Sequence, residues 1–267
     1  MLKCCVCSIR ENSVFPHQII VHINEGTDGS LEWVRSENMD YTLSSENAGV
    51  CYSVNAMAKL AKTELLLYLN DDMYVCKNWD VALKAEADSR PDHLWYLSGT
   101  MIEPIASSNS CVLSPHDFGR HPGEFLKNEL DNFATRVSKA DWFGACWPPS
   151  LVHKSLFEKV GGYSEEFSPG MYSDPDFGMK LWKEGVRHFK GLGNSLVYHF
   201  QSRSTGRVKK NNGRLQFARK WGITSSFFYK DILRMGQKFD STLSLSWKNS
   251  IRYWTVRMKA IWISLKN

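Results

Sequence analysis

The chain has 267 residues, of which 43% are hydrophobic and 23% are charged. These proportions exclude a disordered chain and are those of an ordinary globular protein. The length is sufficient for one domain with an appendage or for two small domains.

The net charge of +5 conceals two parts of opposite sign. Residues 203–267 contain 15 Lys and Arg against two Asp, a balance of +13, whereas residues 1–202 have a balance of −8. A basic tail on an acidic body suggests contact with a membrane surface, nucleic acid or a phosphorylated substrate. A solvated helical extension would carry the same charges, so the charge of the tail alone does not distinguish these interpretations.

Seven cysteines are present, an odd number, and no secretory signal is visible. We therefore expect reduced thiols in a cytoplasmic protein. Cys4, Cys5 and Cys7 lack the paired spacing of a zinc site. The sequence contains no uninterrupted apolar run of about 18 residues, so a membrane-spanning helix is not expected.

The first part of the sequence alternates predicted helices with predicted strands. Apolar residues at helical spacing and local stop signals predict helices at 2–13, 30–37 and 47–62. Strands are predicted at 18–23, 41–43 and 64–70. This alternation predicts an α/β fold with a mixed, mainly parallel sheet flanked by helices.

The second part is less regular. Further strands are predicted at 94–100, 143–147 and 196–200, and further helices at 124–140, 154–160 and 176–185. Residues 103–123 read as a long loop, and long loops in compact domains are often functional. The remainder is basic and mainly helical, so we divide the chain into a domain of residues 1–202 and a basic helical C-terminal extension of residues 203–267.

Two carboxylates follow the most apolar predicted strand, where Glu64–Leu69 runs into Asn70-Asp71-Asp72. In an open α/β sheet the chemistry lies just beyond the carboxyl ends of such strands. Adjacent acids there favour a neutralising cation, and Mg²⁺ holding a diphosphate through one or two carboxylates fits. An exposed turn after a strand is the alternative, since Asn and Asp are common in turns.

Six blocks in this order resemble the motifs of family-2 glycosyltransferases of the GT-A fold. They are the strand and turn at 19–30, Asn47-Ala48-Gly49 with Asn55, the DxD-like Asn70-Asp71-Asp72, the turn Val160-Gly161-Gly162-Tyr163-Ser164-Glu165-Glu166-Phe167, Ser173-Asp174-Pro175-Asp176, and the late His199. The blocks cover about residues 2–200. The resemblance implies transfer of a sugar from a nucleotide-sugar donor to a hydroxyl of a glycan, glycolipid or glycoprotein acceptor.

Three features depart from that family's pattern. Met1 stands where the first helix is expected, so the usual first strand and its base-binding loop are expected to be lacking. Asn70 and Asn24 stand where acids are usual, and Ser173 replaces the usual Glu. Asp72 and Asp174 are retained, so the two most demanding roles, those of metal ligand and of base, are still filled.

The resemblance also implies roles for single residues. Asp72 and His199 would hold Mg²⁺ or Mn²⁺, which stabilises the leaving diphosphate, and a buried histidine at the end of a strand is the alternative for His199. Asp174 would be the base that takes the proton of the acceptor hydroxyl, and a single base implies inversion at the anomeric carbon. Residues expected at the nucleotide sugar are Asn24, Glu25, Asn47, Asn55, Asn70 and Asp71.

Trp142, Trp147 and Asp176 are the residues expected to contact the acceptor. An aromatic wall suits a sugar ring, but core packing is the alternative for at least one of the tryptophans. Asp176 falls in the first turn predicted for its helix, where the helix dipole favours an acid for structural reasons alone.

One helical stripe of the basic tail is apolar. It comprises Trp247, Ile251, Trp254, Met258, Ile261 and Trp262, with Lys248, Arg252, Arg257 and Lys259 around it. Such a stripe is typical of a helix on a membrane surface and also of a helix docked on its own domain. Nucleic acid is not expected as a partner, because no reader motif is present.

Three hypotheses remain at this point. The leading one is a metal-dependent inverting glycosyltransferase, cytoplasmic, with peripheral attachment to a membrane as an option. The second is a non-catalytic protein that binds a sugar nucleotide or a glycan. The third, a nucleotidyltransferase on a related fold, would need a basic Gly-rich N-terminal loop, which is not visible here.

Overall fold

The computed structural model describes residues 1–201, 211–241, 243 and 251–265. Its helices are α1 Leu2–Asn12, α2 Ser30–Ser36, α3 Gly49–Ala58, α4 Trp79–Asp88, α5 Lys127–Ala134, α6 Lys154–Lys159, α7 Ser173–Lys183, α8 Gly213–Trp221, α9 Ser225–Phe227 and α10 Ile251–Leu265. Its strands are β1 Ile20–Asn24, β2 Asp40–Ser44, β3 Leu65–Tyr68, β4 Met73–Val75, β5 Trp95–Ile102, β6 Trp142–Phe143, β7 Ser150–His153 and β8 His188–His199.

The strands form two sheets. A small sheet pairs β1 with β2 in parallel, and the larger sheet has the order β3-β7-β5-β8-β4, with β6 also paired to β8. Strands β5 and β8 run parallel, whereas β4 and β7 pair antiparallel to their neighbours. The expected α/β class with a mixed sheet flanked by helices is confirmed.

A cavity of about 1060 Å³ lies between the small sheet and β3. Its walls include residues 20–23 of β1 and 65–69 at and after β3, and α1 and α3 contribute apolar side chains. No described strand pairs with both β1 and β3. The two sheets therefore face each other across a largely apolar gap.

The main core surrounds β5 and β8. Every residue of β5 is buried, which is typical of a central strand covered on both faces. Phe217 of α8 and Phe228 pack in the same cluster as residues of α3 and α7. The described residues 213–233 thus share a core with the sheet, and the domain boundary at 202/203 stays a prediction.

Most predicted elements are present with shifted ends: the helix predicted at 47–62 is Gly49–Ala58, the strand predicted at 64–70 is Leu65–Tyr68, and the strand predicted at 196–200 is the longer His188–His199. The helix predicted at 124–140 spans only Lys127–Ala134, and the chain beyond it lies against Gly193, where an added Cβ would come within 1.8 Å of the Lys139 carbonyl oxygen. The strand predicted at 143–147 ends at Phe143, because Gly144 takes a left-handed φ of 100°. β4, α4 and β7 are additional elements that the sequence pattern did not predict.

All seven cysteines are free thiols. Within the described residues, no helix has the length and apolar character needed to cross a membrane.

Gly191 of β8 lies against the ring of Trp142, its partner in the β6–β8 pair. An added Cβ would come within 1.9 Å of that buried ring. We expect Gly191→Ala to lower the free energy of unfolding by about 2 kcal/mol, because overpacking a closed core displaces side chains. Urea unfolding measures the change.

Gly123→Ala is the matched control, since its nearest neighbour would be a His121 ring atom at 3.9 Å. This variant should stay within about 0.5 kcal/mol of the parent. Equal stabilities of the two variants would contradict the close packing of Trp142 on Gly191.

Candidate functional site

Three strand ends meet at one edge of the large sheet. Ile102 of β5 pairs with Tyr198 of β8, so Glu103 and His199 follow side by side. Met73 at the start of β4 pairs with His199, which brings Asp72 to the same place. The carboxyl ends of β5 and β8 thus carry the polar groups, as expected for a ligand site in an α/β sheet.

The imidazole of His199 lies between two carboxylates. Its Nδ1 donates to Oε1 of Glu103 over 3.0 Å, and its Nε2 lies 3.4 Å from Oδ2 of Asp72. Burial acts to lower the pKa of His199, but the hydrogen bonds and charges of Asp72 and Glu103 outweigh it and raise the pKa to about 9. Glu103 is itself buried, so it holds the imidazole ring of His199 from the protein interior and fixes the orientation of the ring.

The predicted metal ligands Asp72 and His199 therefore lie next to each other. The described residues contain no group of three or more His, Cys, Asp and Glu side chains placed to hold a metal ion. A pair still fits Mg²⁺ or Mn²⁺, because such ions take few protein ligands when phosphate oxygens supply the rest. A histidine that binds a metal ion through one ring nitrogen commonly donates from the other to a carboxylate. Glu103 holds that position at Nδ1 of His199.

Asp71 and Asn70 follow β3 at the rim of the cavity. Removal of the Asp71 carboxylate from water, and then repulsion by Asp72, raise the pKa of Asp71 above its ordinary value. A cation or a hydrogen-bond donor from a ligand would relieve both effects.

Five of the six residues predicted to bind the nucleotide sugar line this one cavity. They are Asn24, Glu25, Asn47, Asn70 and Asp71. Asn24 also holds the rim together, because its Oδ1 accepts from the backbone N–H of Ala48 and from the Ser44 hydroxyl, over 3.2 and 3.3 Å. The structure thus brings the five residues together, and their role in donor binding stays a prediction.

Asn55, the sixth, has a different position. Its Oδ1 accepts from the backbone N–H of Tyr163 and its Nδ2 donates to the Tyr163 carbonyl, both over 2.8 Å. Gly162 permits this approach, since a Cβ there would come within 2.3 Å of Asn55 Oδ1. Both polar ends of the amide are engaged with the backbone, which does not fit the nucleotide-sugar role predicted for Asn55.

Asp174 lies in the first turn of α7, among buried tyrosine rings. Burial raises the pKa of its carboxyl group to about 7, against the lowering expected from a helix N-terminus. The hydroxyl of Tyr68, at the end of β3, is within electrostatic reach of Asp174, Asp71 and Asp72. Asp174 therefore belongs to the same end of the sheet as the DxD-like segment.

Ser173, which stands where an acid was usual, donates instead to the carbonyl of Gly170 over 2.7 Å. This bond closes the turn before α7, so Ser173 supplies no charge to the site.

The acceptor role predicted for Trp142 and Asp176 does not fit their burial. Trp142 is 2% exposed and donates from Nε1 to Oγ1 of Thr100 over 2.9 Å. Asp176 is fully buried, accepts from Nε1 of Trp221 over 2.8 Å and pairs with Lys220 over 2.9 Å. Nε1 of Trp142 and Oδ1 of Asp176 are thus engaged within the core, whereas Oδ2 of Asp176 is buried without a hydrogen-bond partner.

Trp147 remains partly exposed and contacts Tyr229 edge-to-face, with ring centroids 5.9 Å apart. It packs against both of the larger core clusters, and its contact with an acceptor stays a prediction.

Glu103 is the site residue that the sequence reasoning missed. The signal in the sequence is similar to that at Asp71, an acid just after a mainly apolar strand, here Trp95–Ile102. Because Glu103 also opens the long loop of residues 103–123, the sequence alone does not distinguish it from an ordinary loop residue.

The sequence and the fold were compared with known proteins. No family model matches the sequence. The O-antigen biosynthesis protein RfbC of Myxococcus xanthus is 27% identical over 152 residues, which cover 54% of this chain and 12% of that protein.

Several solved structures share the fold. The TarS 1–349 fragment of S. aureus in complex with UDP has a TM-score of 0.51 at 16% identity, covering 74% of this chain and 55% of that one. GalNAc-T7 with UDP, GalNAc and Mn²⁺ has a TM-score of 0.54 at 13% identity, covering 96% and 52%. The mannosyltransferase PcManGT of Pyrobaculum calidifontis with GDP-Man and Mn²⁺ has a TM-score of 0.53 at 13% identity, covering 98% and 68%.

Because the pKa of Asp174 is raised, we expect the free energy of unfolding to depend on pH. In the unfolded chain this carboxyl loses its proton near its ordinary pKa of 3.8, whereas in the folded chain it does so near 7. The free energy of unfolding therefore falls as the pH rises through this interval and stays lower above it. Asp174→Asn should be more stable than the parent at pH 8, by roughly 2–4 kcal/mol, and equally stable near pH 4.

Chemical unfolding at both pH values tests this expectation. Asp88→Asn, on the exposed side of α4 where Asp88 pairs with Lys84, should show no gain at pH 8. A variant Asp174→Asn no more stable than the parent at pH 8 would show that water reaches the carboxylate freely.

Proposed function

We propose that this chain, which has the GT-A glycosyltransferase fold, transfers a sugar from a nucleotide-sugar donor to an acceptor hydroxyl with inversion at the anomeric carbon. The observation that carries the proposal is that His199 contacts Asp72, and that Tyr68, which lines the cavity together with Asp71, lies within electrostatic reach of Asp71, Asp72 and Asp174. Solved proteins of the same fold hold UDP, UDP-GlcNAc or GDP-Man, which supports a nucleotide-sugar donor here.

The cavity would take the nucleotide. Its apolar walls suit the faces of a base and a ribose, and the amide and carboxylate groups at its rim suit their polar edges. Asn24 and Glu25 lie at the end of β1, and Asn70 and Asp71 lie after β3, so a nucleotide between them would direct its phosphates towards Asp72.

Asp72 and His199 are the residues that would hold a divalent cation, with Glu103 fixing the imidazole; the cation would take the place of the proton that Nε2 of His199 shares with Asp72. When bound, Mg²⁺ or Mn²⁺ supplies Lewis-acid stabilisation of the charge that develops on the leaving diphosphate. GalNAc-T7 and PcManGT were solved with Mn²⁺, which supports this choice of ion.

Asp174 would remove the proton of the acceptor hydroxyl as its oxygen attacks the anomeric carbon and the bond to the diphosphate breaks. Burial raises the pKa of Asp174 to about 7, which makes it a stronger base than an exposed carboxylate. One base on the side opposite the leaving group gives direct displacement and therefore inversion.

The acceptor class we propose is a growing polysaccharide or a lipid-linked glycan. Support comes from the distant similarity to a protein named for O-antigen biosynthesis. We place the reaction in the cytoplasm, because seven free thiols suit a reducing compartment.

Asp174→Asn separates chemistry from binding. We expect turnover of the nucleotide sugar to fall by about a hundredfold or more, since a positioned base commonly contributes that much. Thermal shift by UDP or GDP with Mn²⁺ should be retained, because Asp174 is assigned to the acceptor side. Release of nucleoside diphosphate from UDP-GlcNAc, UDP-GalNAc and GDP-Man measures turnover, and Asp88→Asn serves as the control.

Asp72→Ala tests the proposed role of Asp72 in binding the diphosphate through a divalent cation. The thermal shift that UDP or GDP produces with Mn²⁺ should be lost, together with turnover, because the variant lacks one of the two proposed ion ligands. Turnover equal to that of the parent would refute the assignment. A parent protein that binds the nucleotide with Mn²⁺ but turns over none of the donors would favour the non-catalytic binding protein instead.

A further inference from the structure

The outward face of α10 is apolar and exposed. Its six large apolar side chains have exposed fractions from 46% to 84%. They are Ile251, Trp254, Met258, Ile261, Trp262 and Leu265. Trp247, which extends the same stripe in sequence, lies outside the described residues.

These side chains form one continuous stripe. Their spacing of three and four residues places them within an arc of roughly 100° over four helical turns. Tyr253, Val256 and Ala260 lie on the opposite face, where they are buried or packed against the core. The helix is therefore already docked on its own domain by one face, and the stripe is a second apolar face.

Basic residues border the stripe on both sides. Arg252 and Lys259 lie along one edge and Arg257 along the other, as helical geometry places them. Arg252 also pairs with Asp231 over 3.0 Å, which fixes the helix to the body. Residues 251–265 contain no Asp or Glu, and the sequence from 203 onwards has a balance of +13.

We propose that this outward face of α10 binds an anionic lipid surface. A helix that lies in the membrane interface inserts tryptophan and aliphatic side chains and keeps its cations at the level of the headgroups. Long basic side chains at the edges of the stripe reach those headgroups while their stems cover apolar surface. The acidic balance of residues 1–202 leaves the basic tail as the part that an anionic surface attracts.

A second copy of the chain suits this face less well. Two stripes packed together would bring Arg252, Arg257 and Lys259 of each copy towards those of the other. The helix offers no carboxylate to pair with them, and like charges at the flanks oppose association.

Flotation of the full chain with vesicles tests the inference. One set of vesicles contains equal parts of phosphatidylglycerol and phosphatidylcholine, and the other contains phosphatidylcholine alone. We expect binding to the first set, little binding to the second, and release by high salt, because the basic edges contribute through screened charges.

Two variants separate the apolar and the charged contributions. The double variant Trp254→Gln with Trp262→Gln should weaken binding by about tenfold or more, since two exposed aromatic groups no longer enter the interface. The variant Lys259→Gln should weaken it by roughly fivefold. The double variant Val81→Gln with Leu126→Gln removes apolar side chains of similar exposure elsewhere and should bind like the parent.

Each possible result of these measurements either supports the lipid-binding inference or contradicts it. Circular dichroism checks that each variant is folded, and sedimentation velocity without vesicles reports self-association. No binding to either vesicle, equal binding to both, or an equal loss in the control variant would overturn the inference. A parent dimer that Trp254→Gln with Trp262→Gln turns into a monomer would assign the face to a second copy. Turnover of soluble donor should be unchanged in these variants, so a failure here leaves the proposed function intact.

Discussion

Strands β5 and β8 pair in parallel at the centre of the large sheet, and this pairing organises both the core and the charged cluster at its edge. Every residue of β5 is buried, and β8 joins it to β4 and β6. Parallel strands end at the same edge, so Glu103 and His199 become neighbours without any local sequence relation between them. Because β4 returns antiparallel along β8, Asp72 arrives at the same point from the opposite direction. The charged cluster is thus a product of sheet topology.

The gap between the two sheets is held open by polar contacts around its border. Asp80 is almost fully buried and accepts from the backbone N–H groups of Val14 and Phe15, which anchors the link between α1 and β1 to α4. Asn24 ties the end of β1 to the start of α3. These bonds satisfy backbone groups that no ladder reaches, and they keep an apolar cavity beside a charged rim. That combination suits a ligand with a flat base at one end and phosphates at the other.

Helix α8 connects the site to the outward face of α10. Near its start, Asn211 donates to the carbonyl of Met171, just before the turn that carries Asp174. Further along, Lys220 and Trp221 hold the buried Asp176 of α7. α8 also contacts α10. The proposed base on α7 and the proposed lipid face on α10 are therefore linked through α8.

The amino-acid pattern shows where apolar strands give way to polar loops, and so it predicted most elements and pointed to the carboxylates at Asp71, Asp72 and Asp174. It missed β4 and β7, which have three and four residues and directly follow the turn residues Asn70–Asp72 and Pro148-Pro149, and it also missed α4. It could not decide which polar side chain points to a ligand and which to the interior. Asn55 holds Tyr163 across 108 positions and His199 meets Glu103 across 96, whereas Asp176 and Trp142 are enclosed. Periodicity reports only which residues share a face, and the partner on that face is set by contacts between distant segments, which only the tertiary structure decides.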